Sequence, residues 1–262
     1  MERIEALTNY YTTHDENTRF DSKHGIVEFL TTVNYIEKYL KKGMNILEIG
    51  AGSGRYSHYF ARKGYTVTAV ELMECNIESF MKNTVEGESV SIMKCDAVDL
   101  AALASESYDI TLLLGPMYHL YTDEDRRKAL SEAIRVTKKG GIVFAAYCNS
   151  DLTMYQYCYG RGMLHSALEQ GKINIDTFKL YSLPEDIFAL YRREDIDFLM
   201  KDFNVTRLHY VGTDMLTHMM RGVIDALDDR DFEIYMKYHL NICERVDMVG
   251  ATNHILDIFR KE

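Results

Sequence analysis

The stretch that decides the fold is Met44-Asn-Ile-Leu-Glu48-Ile-Gly50-Ala-Gly52-Ser-Gly54. An apolar run that stops at glycines predicts a buried strand. Glycines at alternate positions predict a sharp turn in which a ligand can lie against bare backbone. The residues that follow, Arg55 to Lys63, predict a helix whose first amides are free to meet that ligand.

Working outward, strands and helices alternate. A helical pattern runs from Ile26 to Leu40, with Phe29, Leu30, Val33, Ile36 and Leu40 at helical spacing, and Lys41-Lys42-Gly43 closes it. Further strands are expected at 66–72, 90–96, 108–115 and 141–148, and helices at 74–83 and 123–138, the latter capped by Thr122 with acidic residues in its first turn. This alternation argues for a parallel α/β sheet with right-handed crossovers. It breaks after Cys148. Residues 149–200 read as mostly helical and form no further βα unit. A strand at 205–212, helical segments at 214–227 and 230–246, and a final strand at 253–260 complete the chain. Residues 1–25 read as too polar to build core.

The glycine turn resembles the first motif of class I S-adenosylmethionine-dependent methyltransferases, in the spacing Glu48-x-Gly50-x-Gly52-x-Gly54. A dinucleotide fingerprint would need a third glycine where Arg55 stands, which weakens a nicotinamide oxidoreductase. The resemblance covers residues 44–148. It implies a Rossmann-like α/β fold with a seven-stranded, mostly parallel sheet, the last strand antiparallel, and helical cap insertions. It also implies S-adenosyl-L-methionine as cofactor, bound by Glu48, Gly50, Ala51, Gly52 and Gly54 in the turn. Glu71 and Leu72 match the end of the second strand, where a carboxylate accepts from both ribose hydroxyls. Asp96 and Ala97 match the adenine pair, and Leu114 and Gly115 the end of the fourth strand beside the sulfonium. Lys139 replaces the proline of the family's Leu-Lys-Pro-Gly-Gly turn.

Gly115-Pro-Met-Tyr118-His119 is similar to the motif that follows the fourth strand in the broad type-11, small-molecule group. Gly115 stands where amino-group methyltransferases carry a polar residue, so the acceptor atom stays open. His119 is a candidate base, because imidazole titrates near neutrality, or a packing residue bonded to a backbone carbonyl. Tyr118 either lines the cofactor pocket or touches the acceptor. His24 is a third candidate, entering from the N-terminal segment. In that segment Arg19 is expected to hold the cofactor's carboxylate, with Tyr11 closing over the same end; the alternative is an exposed arm. His239 and Cys243, four apart on a helix, read as packing rather than metal ligands, and no metal is expected. The tyrosines at 147, 155, 157 and 159 line an aromatic acceptor pocket or fill the junction beneath the insertion.

Composition bounds the partners. With 30 Lys and Arg against 40 Asp and Glu, the formal charge is −10, which argues against bulk nucleic-acid binding. Five cysteines at irregular spacing and no long apolar run fit a reduced, cytoplasmic protein with no membrane partner. The expected division is a lid and helix (1–43), a cofactor-binding core (44–148), a cap (149–204) and a C-terminal completion of the sheet (205–262). The chain reads as a methyltransferase for a small-molecule acceptor, a monomer or homodimer. The rivals are a tRNA-base methyltransferase and a non-catalytic cofactor-binding protein.

Overall fold

The computed structural model describes residues 1–14 and 16–262. Among them, strands β1 (Asn45–Ile49), β2 (Thr66–Glu71), β3 (Val90–Lys94), β4 (Tyr108–Leu113), β5 (Thr137–Asn149), β6 (Leu190–Tyr191), β7 (Val205–Gly212) and β8 (His254–Lys261) form one sheet. The order across it is β3-β2-β1-β4-β5-β8-β7, with the short β6 beside the end of β5. Strand β8 runs antiparallel to β5 and to β7, and the remaining pairs are parallel. The expected architecture is therefore present, with β6 as an eighth, two-residue member.

The helices are α1 (Arg3–Tyr11), α2 (Lys23–Glu37), α3 (Arg55–Arg62), α4 (Glu74–Asn83), α5 (Asp123–Val136), α6 (Ser150–Thr153), α7 (Leu164–Glu169), α8 (Arg193–Met200), α9 (Arg221–Asp225) and α10 (Asp229–Ile242). Local chemistry sets several starts: Ser22, Thr122 and Asp228 each accept an amide proton from the residue three positions on. Alternation along the strands builds a core on each face of the sheet. Leu112, Phe144 and Ile258 pack with Phe29, Val33, Ile36 and Phe60 on one side. Leu113, Val143 and Phe259 pack with Leu130, Ala133 and Leu199 on the other.

Four expectations change. Helix α5 stops at Val136, and Lys138 to Gly141 lie inside β5, where its register against β4 shifts between Tyr108 and Ile110. The cap is less helical than expected. It holds two short helices, a π-helical turn at Met154–Tyr159 and an isolated bridge between Ile173 and Leu180 before β6 and α8. Of the helix expected at 214–227, only α9 is helical. The N-terminal segment does contribute core, because Ala6, Leu7 and Phe20 are buried.

Strand β8 carries one charge into the interior. Asp257, fully buried, accepts from Arg207 Nε at 2.6 Å and Nη2 at 2.9 Å across the β7–β8 ladder. Burial pushes its carboxyl pKa up even so. Breaking a buried pair from one side leaves an uncompensated charge, at a cost of about 3 kcal/mol or more. Arg207→Met should therefore lower unfolding stability by about 3 kcal/mol in urea titration, and Arg207→Met paired with Asp257→Leu should recover much of it.

Candidate active site

The carboxyl ends of β1, β2, β3 and β4 open into a cavity of about 1000 Å³. That edge is where open α/β sheets bind ligands, since the turns there expose backbone amides and helix N-termini. The turn after β1 is held from beneath. Glu48, buried on β1, accepts from the Ser57 amide at 2.9 Å and from the Ser57 hydroxyl, tying strand to helix α3. Burial pushes Glu48 up to about 8, with the Ser57 bonds acting the other way. Gly52 has positive φ, and a Cβ there would meet nothing within 4 Å, so its bare backbone faces open space.

Glu71, ending β2, is fixed by three amides. Its Oε2 accepts from Gly52 N at 2.7 Å, and its Oε1 from Leu72 N and Met73 N at 2.9 Å each. A carboxylate offers about four acceptor positions, so it retains capacity for a ligand's hydroxyls. Asp96, after β3, lies in the wall and pairs with Arg3 of α1.

His119, after β4, is neutral and doubly bonded. Its Nδ1 donates to the Ile187 carbonyl at 2.9 Å, which leaves Nε2 to accept from the Tyr11 hydroxyl at 2.9 Å. Burial lowers its pKa to about 4. The Ile187 carbonyl also accepts from Tyr121 OH at 2.6 Å. Ile187 has a φ of 68°, a strained conformation for a β-branched residue.

Arg19 donates both of its bonds to Glu28, at 2.8 and 3.0 Å, and its guanidinium lies over the rings of Phe20 and Tyr118. Glu28 in turn approaches His254, which donates to Asp214. Burial opposes charge on each, but the neighbouring charges prevail. Arg19 and His254 hold the Glu28 carboxyl below its ordinary range, and Glu28 and Asp214 hold the His254 imidazole well above its own.

The wall thus brings together Tyr11, Arg19, Glu48, Gly50, Ala51, Gly52, Glu71, Leu72, Asp96, Ala97, Leu114, Gly115, Tyr118 and His119. Two expected residues fall outside it. His24 turns away and pairs with Asp225 of α9 through Nδ1 at 2.7 Å. Gly54 caps α3 from behind, where a Cβ would come within 2.5 Å of Phe80. His239 and Cys243 are packing residues, bonded to Thr31 and Tyr35. Of the tyrosines, Tyr157 reaches the cavity, Tyr147 is buried against Tyr191, and Tyr155 and Tyr159 are exposed. Sequence reasoning missed Arg3, Glu28, Asn253, His218 and His254, which line the cavity without belonging to any motif.

Does this wall suit the expected cofactor? Gly52 is an open cradle beside an amide-anchored carboxylate, and the Tyr118 hydroxyl is buried in the wall with no partner. Buried polar groups are normally satisfied, so the cavity is built for a polar ligand. The fit is good.

The strand order and the strand-end cavity are those of the Rossmann-like fold of class I methyltransferases. A methyltransferase domain family, type 11, matches residues 47–145. Over 232 residues the chain is 26% identical to a ubiquinone biosynthesis O-methyltransferase of Pseudomonas savastanoi, covering 84% of this chain and 95% of the relative. A ubiquinone biosynthesis O-methyltransferase of Caulobacter vibrioides is 30% identical over 112 residues, 42% of this chain and 43% of that one. Among solved structures, the magnesium protoporphyrin IX methyltransferase of Synechocystis, with S-adenosylhomocysteine bound, superposes with a TM-score of 0.61 at 12% identity and full coverage of both chains. A possible histamine N-methyltransferase of Thermotoga maritima gives 0.57 at 18%, again over both whole chains. The chain is a class I S-adenosylmethionine-dependent methyltransferase, and S-adenosylmethionine is its cofactor.

Glu48 makes the enzyme's stability depend on pH. Its folded pKa lies near 8 against an ordinary value of 4.5, so between them the folded chain holds the extra proton. Stability should fall as pH rises through that window, by an amount on the order of a few kcal/mol. Glu48→Gln should flatten this part of the profile in thermal melts from pH 5 to 8. The Arg3–Asp96 pair pins α1 across the site, and Arg3→Ala should weaken cofactor binding by roughly fivefold, about 1 kcal/mol, in calorimetric titration.

Proposed function

We propose that this enzyme methylates a small-molecule acceptor bound in the cap-side half of the cavity. The observation that carries this reading is the continuity of one chamber from the glycine turn to the cap. Beyond Gly115 its wall passes to Cys148, Gln156, Tyr157, Leu180 and Phe188. Such a mixed apolar and polar chamber suits a compact ligand. The O-methyltransferase names of the relatives support an acceptor of this class. The cations of the cap are largely engaged, Lys172 with Asp186, Lys179 with Asp195 and Arg192 with Asp151, which disfavours a tRNA acceptor. No described helix is long and apolar enough to cross a membrane.

S-adenosylmethionine supplies a methyl group already activated on a sulfonium, so the protein's task is placement and exclusion of water. In our reading Glu71 accepts from the ribose hydroxyls, Gly50, Ala51 and Gly52 bare the backbone, and Asp96 with Ala97 borders the adenine. Leu114 and Gly115 border the reacting end. Arg19, held by Glu28, presents its remaining guanidinium protons. Residues 1–43 act as a lid, 44–148 as the core, 149–204 as the cap and 205–262 as completion of the sheet. With its Nε2 occupied and its pKa near 4, His119 orients the Tyr11 hydroxyl rather than taking a proton at neutral pH.

Glu71→Ala removes the carboxylate while leaving the strand in place. It should weaken S-adenosylmethionine by about ten- to a hundredfold, the worth of a charged hydrogen-bonding partner. Calorimetry on the folded variant tests this. For the acceptor, transfer of labelled methyl to a panel of phenols, catechols, carboxylates and amines is expected, and labelling of tRNA alone would overturn the small-molecule reading.

A further inference from the structure

A second cluster closes the cavity between α2, the end of β7 and the start of β8. Asp214 is fully buried. Its Oδ1 accepts from Thr252 Oγ1 at 2.6 Å, Asn253 N at 2.9 Å and His254 N at 3.2 Å. Its Oδ2 lies 2.7 Å from His254 Nδ1 and 3.3 Å from His218 Nε2. One ligand atom from each of Asp214, His218 and His254 lies within 4.8 Å of the other two. Both histidines line the cavity.

We propose that Asp214, His218 and His254 bind one divalent transition-metal ion, and that its open positions face the cavity and take an oxygen of the acceptor. The second part rests on the acceptor reading above; the metal site does not. Two imidazoles and a carboxylate suit ions of the zinc class, whereas magnesium and calcium prefer oxygen donors throughout. Tetrahedral bonds of about 2.1 Å place ligand atoms roughly 3.4 Å apart; the Asp214–His218 pair matches this at 3.3 Å, and the Asp214–His254 pair, hydrogen-bonded at 2.7 Å, would widen as the ion replaces the shared proton. Three protein ligands with a position left open is the arrangement of reactive rather than structural zinc sites. Three donors fix Oδ1 of Asp214, so the carboxylate stays oriented when Oδ2 exchanges its imidazole protons for the ion. On binding, the histidine protons leave to solvent.

The wall beside the cluster points to a ligand independently. The Tyr118 hydroxyl and the Asn253 side-chain nitrogen are both buried, both in the cavity wall and both without a partner. The Tyr118 ring lies 5.7 Å from that of His254. An acceptor oxygen on the ion would share this wall with both donors. No metal was expected from the sequence, because these ligands are scattered from 214 to 254 and only the His218 spacing from Asp214 is helix-like.

The test uses the full chain, stripped with chelator. Calorimetric titration with Zn²⁺ should give one site per chain, and Co²⁺ should give the visible bands of a low-coordinate ion. Addition of acetohydroxamate, a bidentate oxygen ligand, should shift those bands. His218 is partly exposed, so His218→Ala should keep the fold by circular dichroism while weakening Zn²⁺ by about a hundredfold or more. Affinity for S-adenosylmethionine should not change in that variant. A wild-type chain that takes up no Zn²⁺ at equimolar concentration, or a folded His218→Ala chain that binds as wild type, would overturn the site. Cobalt bands that ignore acetohydroxamate would overturn the open position. Failure to bind S-adenosylmethionine would count against the donor-site reading alone and leave the metal result standing.

Discussion

Four charges meet along the cavity wall: Arg19, Glu28, His254 and Asp214 alternate in sign along one line of contacts, with the two carboxylates buried. A carboxylate buried alone would cost several kcal/mol, so Glu28 and Asp214 depend on the cations beside them. The line joins the segment before α2, α2 itself, the turn after β7 and the first residue of β8. Segments far apart in the chain are thereby held in one geometry, and the wall between them is formed as a by-product of charge pairing. Hydrophobic contact is non-directional and would not specify that placement.

The two ends of the cavity are built on different principles. At the glycine end, backbone does the work. Amides of Gly52, Leu72 and Met73 aim the Glu71 carboxylate, and each contributor lies within three residues of a strand's end. At the cap end, side chains from sequence-distant elements converge, and loops support most of them. Chemistry common to a whole class sits naturally on the rigid end. Choice of acceptor sits on the end where loops can vary without disturbing the sheet.

This contrast explains what could be read in advance. Strands β1, β2 and β4 announce themselves as apolar runs ended by glycine or acid, and the residues at their carboxyl ends fall into the cavity as their positions implied. The start of β5 could not be read, because Lys138-Lys-Gly-Gly looks like a helix stop when it is a register shift inside a strand. The cap also misled, since its tyrosine-rich run at 154–159 has a period of two that fixes no regular element, and it closes as a π-helical turn. His24 looked poised for the site, yet Asp225, some 200 positions later, turns it away. Glu28 and His254 were invisible as a pair because nothing local marks two residues that meet only when α2 packs against β8.

Strand β8 lies between β5 and β7, so the sheet is sewn together by residues that leave the ribosome long after their neighbours. Between Asn149 and His254 roughly a hundred residues must be made, about 5–20 s at bacterial and eukaryotic rates of synthesis. Throughout that interval one flank of β5 offers a row of unpaired amides and carbonyls, with Val143, Phe144 and Ala145 at its centre. Such an open edge is a template for pairing with other chains. The nascent enzyme is therefore most vulnerable to aggregation, and most in need of a chaperone, in the moments before its final strand emerges.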